Sequence, residues 1–94
     1  MDHQSIVNFI CSDILFKGLE LEDLGMEESE ITNDTPLFEG GLELDSVDIL
    51  EVIAATQREF KIRFDDVDDA FIAEHCHSPA KLATLVEQHL SKAA

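Results

Sequence analysis

Apolar residues recur at helical spacing near both ends of the chain. The first set predicts a helix over residues 4–16, with apolar positions Ile6, Phe9, Ile10 and Ile14. Lys17-Gly18 is typical of a helix end, with a cation in the last turn and glycine just past it. The last set predicts a helix over residues 79–91, begun by Ser78-Pro79 and with apolar positions Leu82, Leu85, Val86 and Leu90.

A third apolar stripe predicts a helix over residues 46–60. At about 100° per residue its core face consists of Ile49, Leu50, Ile53, Thr56 and Phe60. Charged residues take the other side: Asp48, Glu51, Arg58 and Glu59. Val47 and Ala54 lie off the core face, on the same line as Glu51 and Arg58. Val47 and Ala54 with the charged residues beside them form an exposed strip. This strip is either a docking surface or no more than two exposed apolar side chains, which are common.

The remaining segments complete the predicted fold. Residues 61–64 predict an extended link that buries Ile62 and Phe64, and residues 67–74 predict a short helix with acidic residues at its start. We therefore expect one domain, residues 1–94, of the all-α class. The predicted architecture is a small four-helix bundle, with three longer helices and one short one, and a long loop between helices 1 and 2.

The long connection, residues 19–45, contains ten acidic residues and no basic residue. Spaced apolar residues predict a loop pinned to the core, with two short turns, one within residues 23–28 and one starting at Thr35-Pro36. The apolar positions are Leu19, Leu21, Leu24, Ile31, Leu37, Phe38 and Leu42.

Charge narrows the possible partners. The net charge of −15 disfavours nucleic acid and anionic membranes and favours basic protein surfaces. No apolar run has the length of a membrane span. Residues 1–16 contain Asp2 and Asp13 and no early basic residue, so we expect no signal peptide and a cytoplasmic location. We also expect a monomer. Cys11 and Cys76 are then expected to be free, buried thiols.

His75-Cys76-His77 is the one run that resembles a metal cluster. Adjacent ligands in three residues cannot close a tetrahedral zinc site, and no second Cys/His pair has zinc spacing. We therefore predict a loop between helices there, and no metal site in the chain.

The candidate chemistry lies at Asp45-Ser46, the start of the second predicted helix. Asp45 is a preferred N-cap residue, and Asp48 adds negative charge at the positive end of the helix dipole. Ser46 is either a second candidate cap or a serine that is modified. A nucleophilic serine of a hydrolase needs an adjacent base, and no histidine lies near Ser46 in sequence, so an enzyme is disfavoured.

Several segments together resemble an acyl carrier protein. Leu44-Asp45-Ser46-Val47-Asp48, continued by Ile49–Ile53 and closed by Glu59-Phe60-Lys61-Ile62, is similar to the family's second helix, and Asp34–Glu39 to its lead-in loop. The resemblance implies that Ser46 receives a covalent 4′-phosphopantetheine arm from coenzyme A, and that Asp45 helps hold the divalent metal and the modifying enzyme.

The resemblance also implies partners and cargo. The partners are a phosphopantetheinyl transferase, an acyl-loading enzyme and ketosynthase-type enzymes with basic docking surfaces, which contact Val47, Asp48, Glu51 and Ala54. The arm carries acyl groups as thioesters for fatty-acid or polyketide-type synthesis. By analogy with the family, the acyl chain is sheltered inside the helical bundle by Leu50, Ile53, Phe60 and Leu82.

Some positions depart from the family pattern. Glu43, Leu44 and Val47 stand where many relatives have glycine, a small residue and leucine, and Gln57-Arg58 replaces an often acidic pair. These departures suggest a specialised carrier rather than the central fatty-acid type. Two alternatives stay open: a carrier of aminoacyl or peptidyl groups, and an unmodified acidic adaptor that keeps its function without Ser46.

Overall fold

The computed structural model describes residues 2–38, 40–65 and 67–93, and side chains as far as residue 90. These residues form four α-helices and no strand, which confirms the predicted all-α fold. The helices are α1 (His3–Phe9), α2 (Ser46–Phe60), α3 (Asp69–His75) and α4 (Pro79–Ala93). A π-helix, Ile10–Lys17, continues α1 directly, and 3-10 turns follow at Leu21–Leu24 and Glu28–Glu30.

The first helix ends at Lys17 as predicted, but not through a left-handed glycine. Gly18 stays right-handed, with φ −64°, because its N–H still donates to the Asp13 carbonyl at 3.1 Å. Glu20 takes the left-handed conformation instead, with φ 54°. Glycine at position 18 serves a close approach, since a Cβ there would lie 2.2 Å from the Ile14 carbonyl oxygen.

The core lies between α1 with its π-helical continuation, α2 and α4. Helix α4 packs closely on α1, and α3 packs mainly against α4. The largest fully buried side chains come from all three long helical segments and from the connection: Ile6, Ile10, Leu15, Leu37, Ile49, Val52, Leu82 and Val86. The connection is thus part of the core, as the spaced apolar residues predict, but Leu24, predicted to help pin it, is 78% exposed.

The buried face of α2 differs from the predicted one at one edge. Ile49, Ile53 and Thr56 are buried as predicted, and Val52, 1% exposed, joins them. Leu50 is 53% exposed, so its assignment to the core was wrong. The reason is geometric: Leu50 lies about 110° around the helix from the centre of the buried stripe at 100° per residue. Phe60 is half-buried, with its ring edge against Phe9.

The connection between the π-helix and α2 is pinned by Leu21, Ile31 and Leu37, all buried. The turn predicted within residues 23–28 falls between the two observed 3-10 turns and overlaps each. The helical turn predicted at Thr35-Pro36 is wrong, because these residues have no helical structure. The Thr35 hydroxyl accepts from the Thr32 N–H at 2.8 Å, which caps a turn before it rather than a helix after it.

Residues 62–64 of the link after α2 form neither helix nor strand. Lys61, which was predicted as part of an extended link, is instead left-handed, with φ 55°. Phe64 is the more deeply buried of the link's two apolar side chains, at 6% exposure, while Ile62 is half-buried. Helix α3 starts at Asp69, two residues later than predicted, because Asp68 is its N-cap and accepts from the Phe71 N–H at 2.9 Å. Helix α4 starts at Pro79, with the Ser78 hydroxyl accepting from the Lys81 N–H at 3.3 Å. Glu39 and Asp66 lie outside the described residues.

The two cysteines are free and buried, as predicted. Burial raises the pKa of both thiols to about 11. Among the described residues no group of three or more His, Cys, Asp or Glu side chains could hold a metal ion. Within those residues no helix is both long enough and apolar enough to cross a bilayer.

Candidate functional site

Ser46 is the first residue of α2, and it is exposed. Asp45 precedes it in an extended conformation, and its Oδ1 accepts from the Asp48 N–H at 2.9 Å. Asp45 is therefore the N-cap, as predicted. Because Asp45 fills that role, the Ser46 hydroxyl is left at the surface, at the positive end of the helix dipole.

A tight backbone loop brings the chain to this point. The N–H groups of Leu42, Glu43 and Leu44 donate to the carbonyls of Pro36, Phe38 and Leu37, at 2.8, 3.0 and 2.9 Å. The Leu37 N–H donates in turn to the His77 carbonyl, 2.8 Å away in the bend between α3 and α4. The start of α2 is thereby fixed relative to the far end of α3.

Two positions in this loop require unusual backbone. Gly41 lies so close to Pro36 that a Cβ would be 1.9 Å from the Pro36 carbonyl oxygen. Glu43 is left-handed, with φ 52°, a conformation that a residue with a Cβ adopts at some cost. A glycine at this position would remove that cost.

An apolar groove of about 560 Å³ opens beside Ser46, between α2 and α3. Ile49 and Leu50 line it from α2, and Asp69, Ile72 and Ala73 line it from α3. Further lining comes from the segments that precede the two helices: Phe38, Leu44, Asp45, Val67 and Asp68. Ser46 is itself a lining residue, so the exposed hydroxyl stands at one edge of an apolar hollow.

Of the four residues expected to shelter an acyl chain, one lines this groove. Leu50 does so, and its exposure is explained because the groove is open beside it. Ile53 and Leu82 are packed in the core instead, at 3% and 0% exposure. Phe60, half-buried against Phe9, does not line the groove either.

The structure brings the other predicted residues together on the outer face of α2. Val47 is 72% exposed, Glu51 and Ala54 are exposed, and Asp48 is half-buried. Leu50 adds a second large apolar surface beside Val47. The predicted strip therefore exists as a surface feature, wider and more apolar than the sequence pattern indicates.

No histidine lines the groove. His77 lies with its ring against Phe38, at a centroid distance of 6.4 Å, and His89 packs against Phe64 at 4.9 Å. His3 contacts Glu87, and His75 stacks near Phe71 at 5.0 Å. The groove supplies Ser46 with carboxylates and apolar surface, and none of its described lining residues is a histidine.

Sequence reasoning did not identify the far wall of the groove. Ile72 and Ala73 belong to a short helix without a clear apolar stripe, and Phe38, Leu44 and Val67 lie in loops. The sequence signal that could have indicated the groove is Leu50. It lies at the edge of the apolar stripe of α2, one turn after Ser46, where a side chain can be partly exposed.

Comparison with known proteins gives one family match. The model of the family described as "Phosphopantetheine attachment site" matches residues 18–86, most of the chain. The matched range begins at the end of the π-helix and closes within α4, so it contains the connection, α2, α3 and the groove. Among the solved structures there is no significant match.

Proposed function

Because this chain belongs to the family defined by a phosphopantetheine attachment site, we propose that Ser46 bears its covalent 4′-phosphopantetheine and that the cargo is an acyl group. The chain is a phosphopantetheine-carrying carrier protein, and carrier domains of this kind are in general not catalysts. The observation that supports Ser46 is its exposed hydroxyl at the head of α2, beside an apolar groove.

The attachment step needs a partner enzyme. The Ser46 oxygen forms a bond to the phosphorus that carries the pantetheine arm, the bond from that phosphorus to the nucleotide part of coenzyme A breaks, and the hydroxyl proton goes to a base. Since no histidine lines the groove, the phosphopantetheinyl transferase supplies that base. Capping by Asp45 leaves the hydroxyl free to react.

Asp45 has a second role in this proposal. One carboxylate oxygen is used by the Asp48 N–H, and the residue is exposed beside Ser46. Its negative charge therefore stands where a divalent metal and a basic transferase surface would meet the reacting phosphate.

The groove favours acyl cargo. Its walls are mostly apolar and reach inward from Ser46 to Ile72 and Phe38. A hydrocarbon chain gains about 0.8 kcal/mol per buried CH₂ on leaving water, whereas a peptidyl group would bury polar atoms there without partners. The cargo is then an intermediate of fatty-acid or polyketide-type synthesis.

One observation favours the second candidate, an aminoacyl carrier. Asp45, Asp68 and Asp69 contribute to the lining of the groove, and carboxylates at its edge could pair with the ammonium group of an aminoacyl thioester. Asp45 and Asp68 cap helices and Asp69 lies in the first turn of α3, so the presence of all three also has a local explanation.

The proposed partners are the transferase, an acyl-loading enzyme and ketosynthase-type enzymes. Val47, Asp48, Glu51 and Ala54 form the contact patch, widened by Leu50, which is also exposed. The net charge of −15 steers basic protein surfaces toward the chain.

The first test is intact mass after incubation with coenzyme A, magnesium and a broad-specificity phosphopantetheinyl transferase. We expect a gain of one phosphopantetheine in the wild type and none in Ser46→Ala. Ser29→Ala is the matched control, because Ser29 is an exposed serine among acidic residues in a 3-10 turn. No gain in the wild type with several transferases contradicts the proposal and favours the unmodified adaptor.

The cargo is tested on the modified protein. We expect an octanoyl thioester to shift the amide resonances of α2 and α3 around the groove, and an aminoacyl thioester of similar size to leave α3 unchanged. Shifts at Asp68 and Asp69 with the aminoacyl form alone would support the second candidate instead.

A further inference from the structure

We propose that the C-terminal end of α2 carries a basic patch, Arg58, Lys61 and Arg63, that docks an acidic patch on the partner enzyme. This inference rests on the proposed function, since it takes the outer face of α2 as the docking face. The basic patch adds positive charge to a docking face that is otherwise acidic. The partner it fits is a protein with a basic area opposite Asp48 and Glu51 and an acidic area farther along.

The distribution of charge carries the proposal. The chain has six basic residues against 21 acidic ones, and three of the six fall between positions 58 and 63. All three are exposed. Arg58 has a contact of 3.7 Å with Glu59, its sequence neighbour, on a largely exposed side chain, which contributes little at such exposure. Residues 58–63 therefore carry three positive charges against the one negative charge of Glu59, a net +2 on a strongly negative molecule, and the exposed Asp65 marks the end of this basic run.

The patch has a fixed backbone. Lys61 is the left-handed C-cap of α2, and the Gln57 carbonyl accepts from the N–H groups of Lys61 and Ile62. The Gln57 side chain then accepts from the Phe64 N–H at 2.8 Å. Phe64 is buried, so the link is anchored at both of its ends. Lys61 and Arg63 are thus presented from a held turn rather than from a mobile tail.

Helix stability explains only part of the patch. A cation in the last turn of α2 interacts favourably with the negative end of the helix dipole, and Arg58 stands there. That effect fades within the last turn. Arg63 lies two residues beyond the C-cap Lys61, where the dipole gives no reason for a cation.

The patch continues the strip described above. Val47, Glu51, Ala54 and Arg58 follow one line along α2, since they are spaced by three or four residues. Over the 15 residues of α2 this line extends about 20 Å at 1.5 Å per residue. It starts acidic and apolar beside Ser46 and ends basic. An anionic membrane fits such a face poorly, because its acidic half would be repelled.

A two-signed face selects between partners. A partner surface that is basic throughout is attracted by the first half of α2 and repelled by the second. A partner surface with one basic and one acidic area is attracted by both halves. Arg58 then disfavours partners whose docking surface is basic along the whole length of α2.

The test compares two phosphopantetheinyl transferases on the apo protein. One has a docking surface with basic side chains only, and the other has an acidic area about 20 Å from its basic one. The variant is Lys61→Glu with Arg63→Glu, and Lys61→Gln with Arg63→Gln provides a milder form. The control is Lys17→Glu with Lys81→Glu, which changes the net charge equally at exposed positions away from α2.

We expect the reversal to lower KM about three- to tenfold for the basic transferase and to raise it about as much for the two-signed one, with both effects fading at high salt. The control should change the two KM values in the same direction and less. If the reversal and the control behave alike, or both enzymes improve, the patch is not a docking element. Loss of binding to anionic vesicles in the reversal alone would point to a membrane and overturn the proposal.

Failure of this inference is separable from failure of the proposed function. If the wild type gains no phosphopantetheine with either enzyme, the carrier assignment of Ser46 fails. If it gains the arm and the variants do not differ from the control, only the docking proposal fails.

Discussion

Helices α2 and α3 form the two walls of one groove, but they are held in different ways. Helix α2 has 15 residues, four of them buried, and an apolar face set into the core. Helix α3 has seven residues, none of them buried. It is held by the Asp68 cap, by its packing on α4 and by Phe71 against Phe64 at 5.6 Å.

This difference separates two tasks. The wall that presents Ser46 is rigid because its burial is tied to the stability of the whole domain. The opposite wall can shift without exposing the core, so the capacity of the groove depends on the lightly held helix. Each experiment below perturbs one wall and asks whether the other responds.

The largest effect is expected from Ile53→Ala. Ile53 is 3% exposed and does not line the groove, so the change leaves a cavity in the core. We expect a loss of about 2–4 kcal/mol in the free energy of unfolding, measured by urea denaturation followed by circular dichroism. Leu50→Ala is the control on the same helix. Equal losses in both would mean that α2 is not anchored in the way described.

Phe71→Ala should act locally. Its ring contacts Phe64 and His75, and it is half-buried. We expect α3 to lose about 1–2 kcal/mol of protection in amide hydrogen exchange, while α2 keeps its own. Loss of protection in α2 to the same extent would show that the two walls open together, and the distinction between them would be removed.

The two N-caps allow a matched comparison. Asp45→Ala and Asp68→Ala each remove one cap bond to a backbone N–H, of 2.9 Å in both cases. Each substitution should cost about 1 kcal/mol. For Asp45→Ala we expect this as a lower free energy of unfolding of the whole domain, and for Asp68→Ala as local fraying of the seven-residue α3. Hydrogen exchange and urea denaturation together separate these outcomes, and an identical pattern in both variants would contradict the comparison.

The smallest effect on stability is expected from Leu50→Ala itself. Leu50 is 53% exposed, so we expect less than about 0.5 kcal/mol. The groove should nevertheless change, because Leu50 lines it. In the acylated protein we expect faster hydrolysis of the thioester than in the wild type, measured by mass spectrometry. Glu51→Ala, exposed on the same helix, provides the control.

Much of this fold could be predicted from the sequence, because three helices have strong periodic patterns. Their ends agree with the structure to within a few residues, and the Asp45 cap is where the sequence places it. Caps and apolar stripes are local signals, and each is readable from a few neighbouring residues.

The errors have both local and long-range causes. The position of Leu50 at the edge of the apolar stripe is readable from the helix period, but the groove beside it depends on α3, which lies farther along the chain. Thr35-Pro36 does not start a helix because Leu37 is bonded to His77, forty residues later. Gly18 is right-handed because the π-helix, which sequence periodicity does not distinguish, extends to it.

The loop before Ser46 is held by bonds between main-chain atoms, including the one from Leu37 to the His77 carbonyl. Such bonds do not depend on which side chains the residues carry, apart from Gly41, where there is no room for one. Other loop positions are fixed by their side chains, because Leu37 is buried and Phe38 and Leu44 line the groove. For a protein engineer, the exposed Glu43 is therefore the place to vary surface chemistry beside Ser46, and glycine there would also relieve its left-handed backbone.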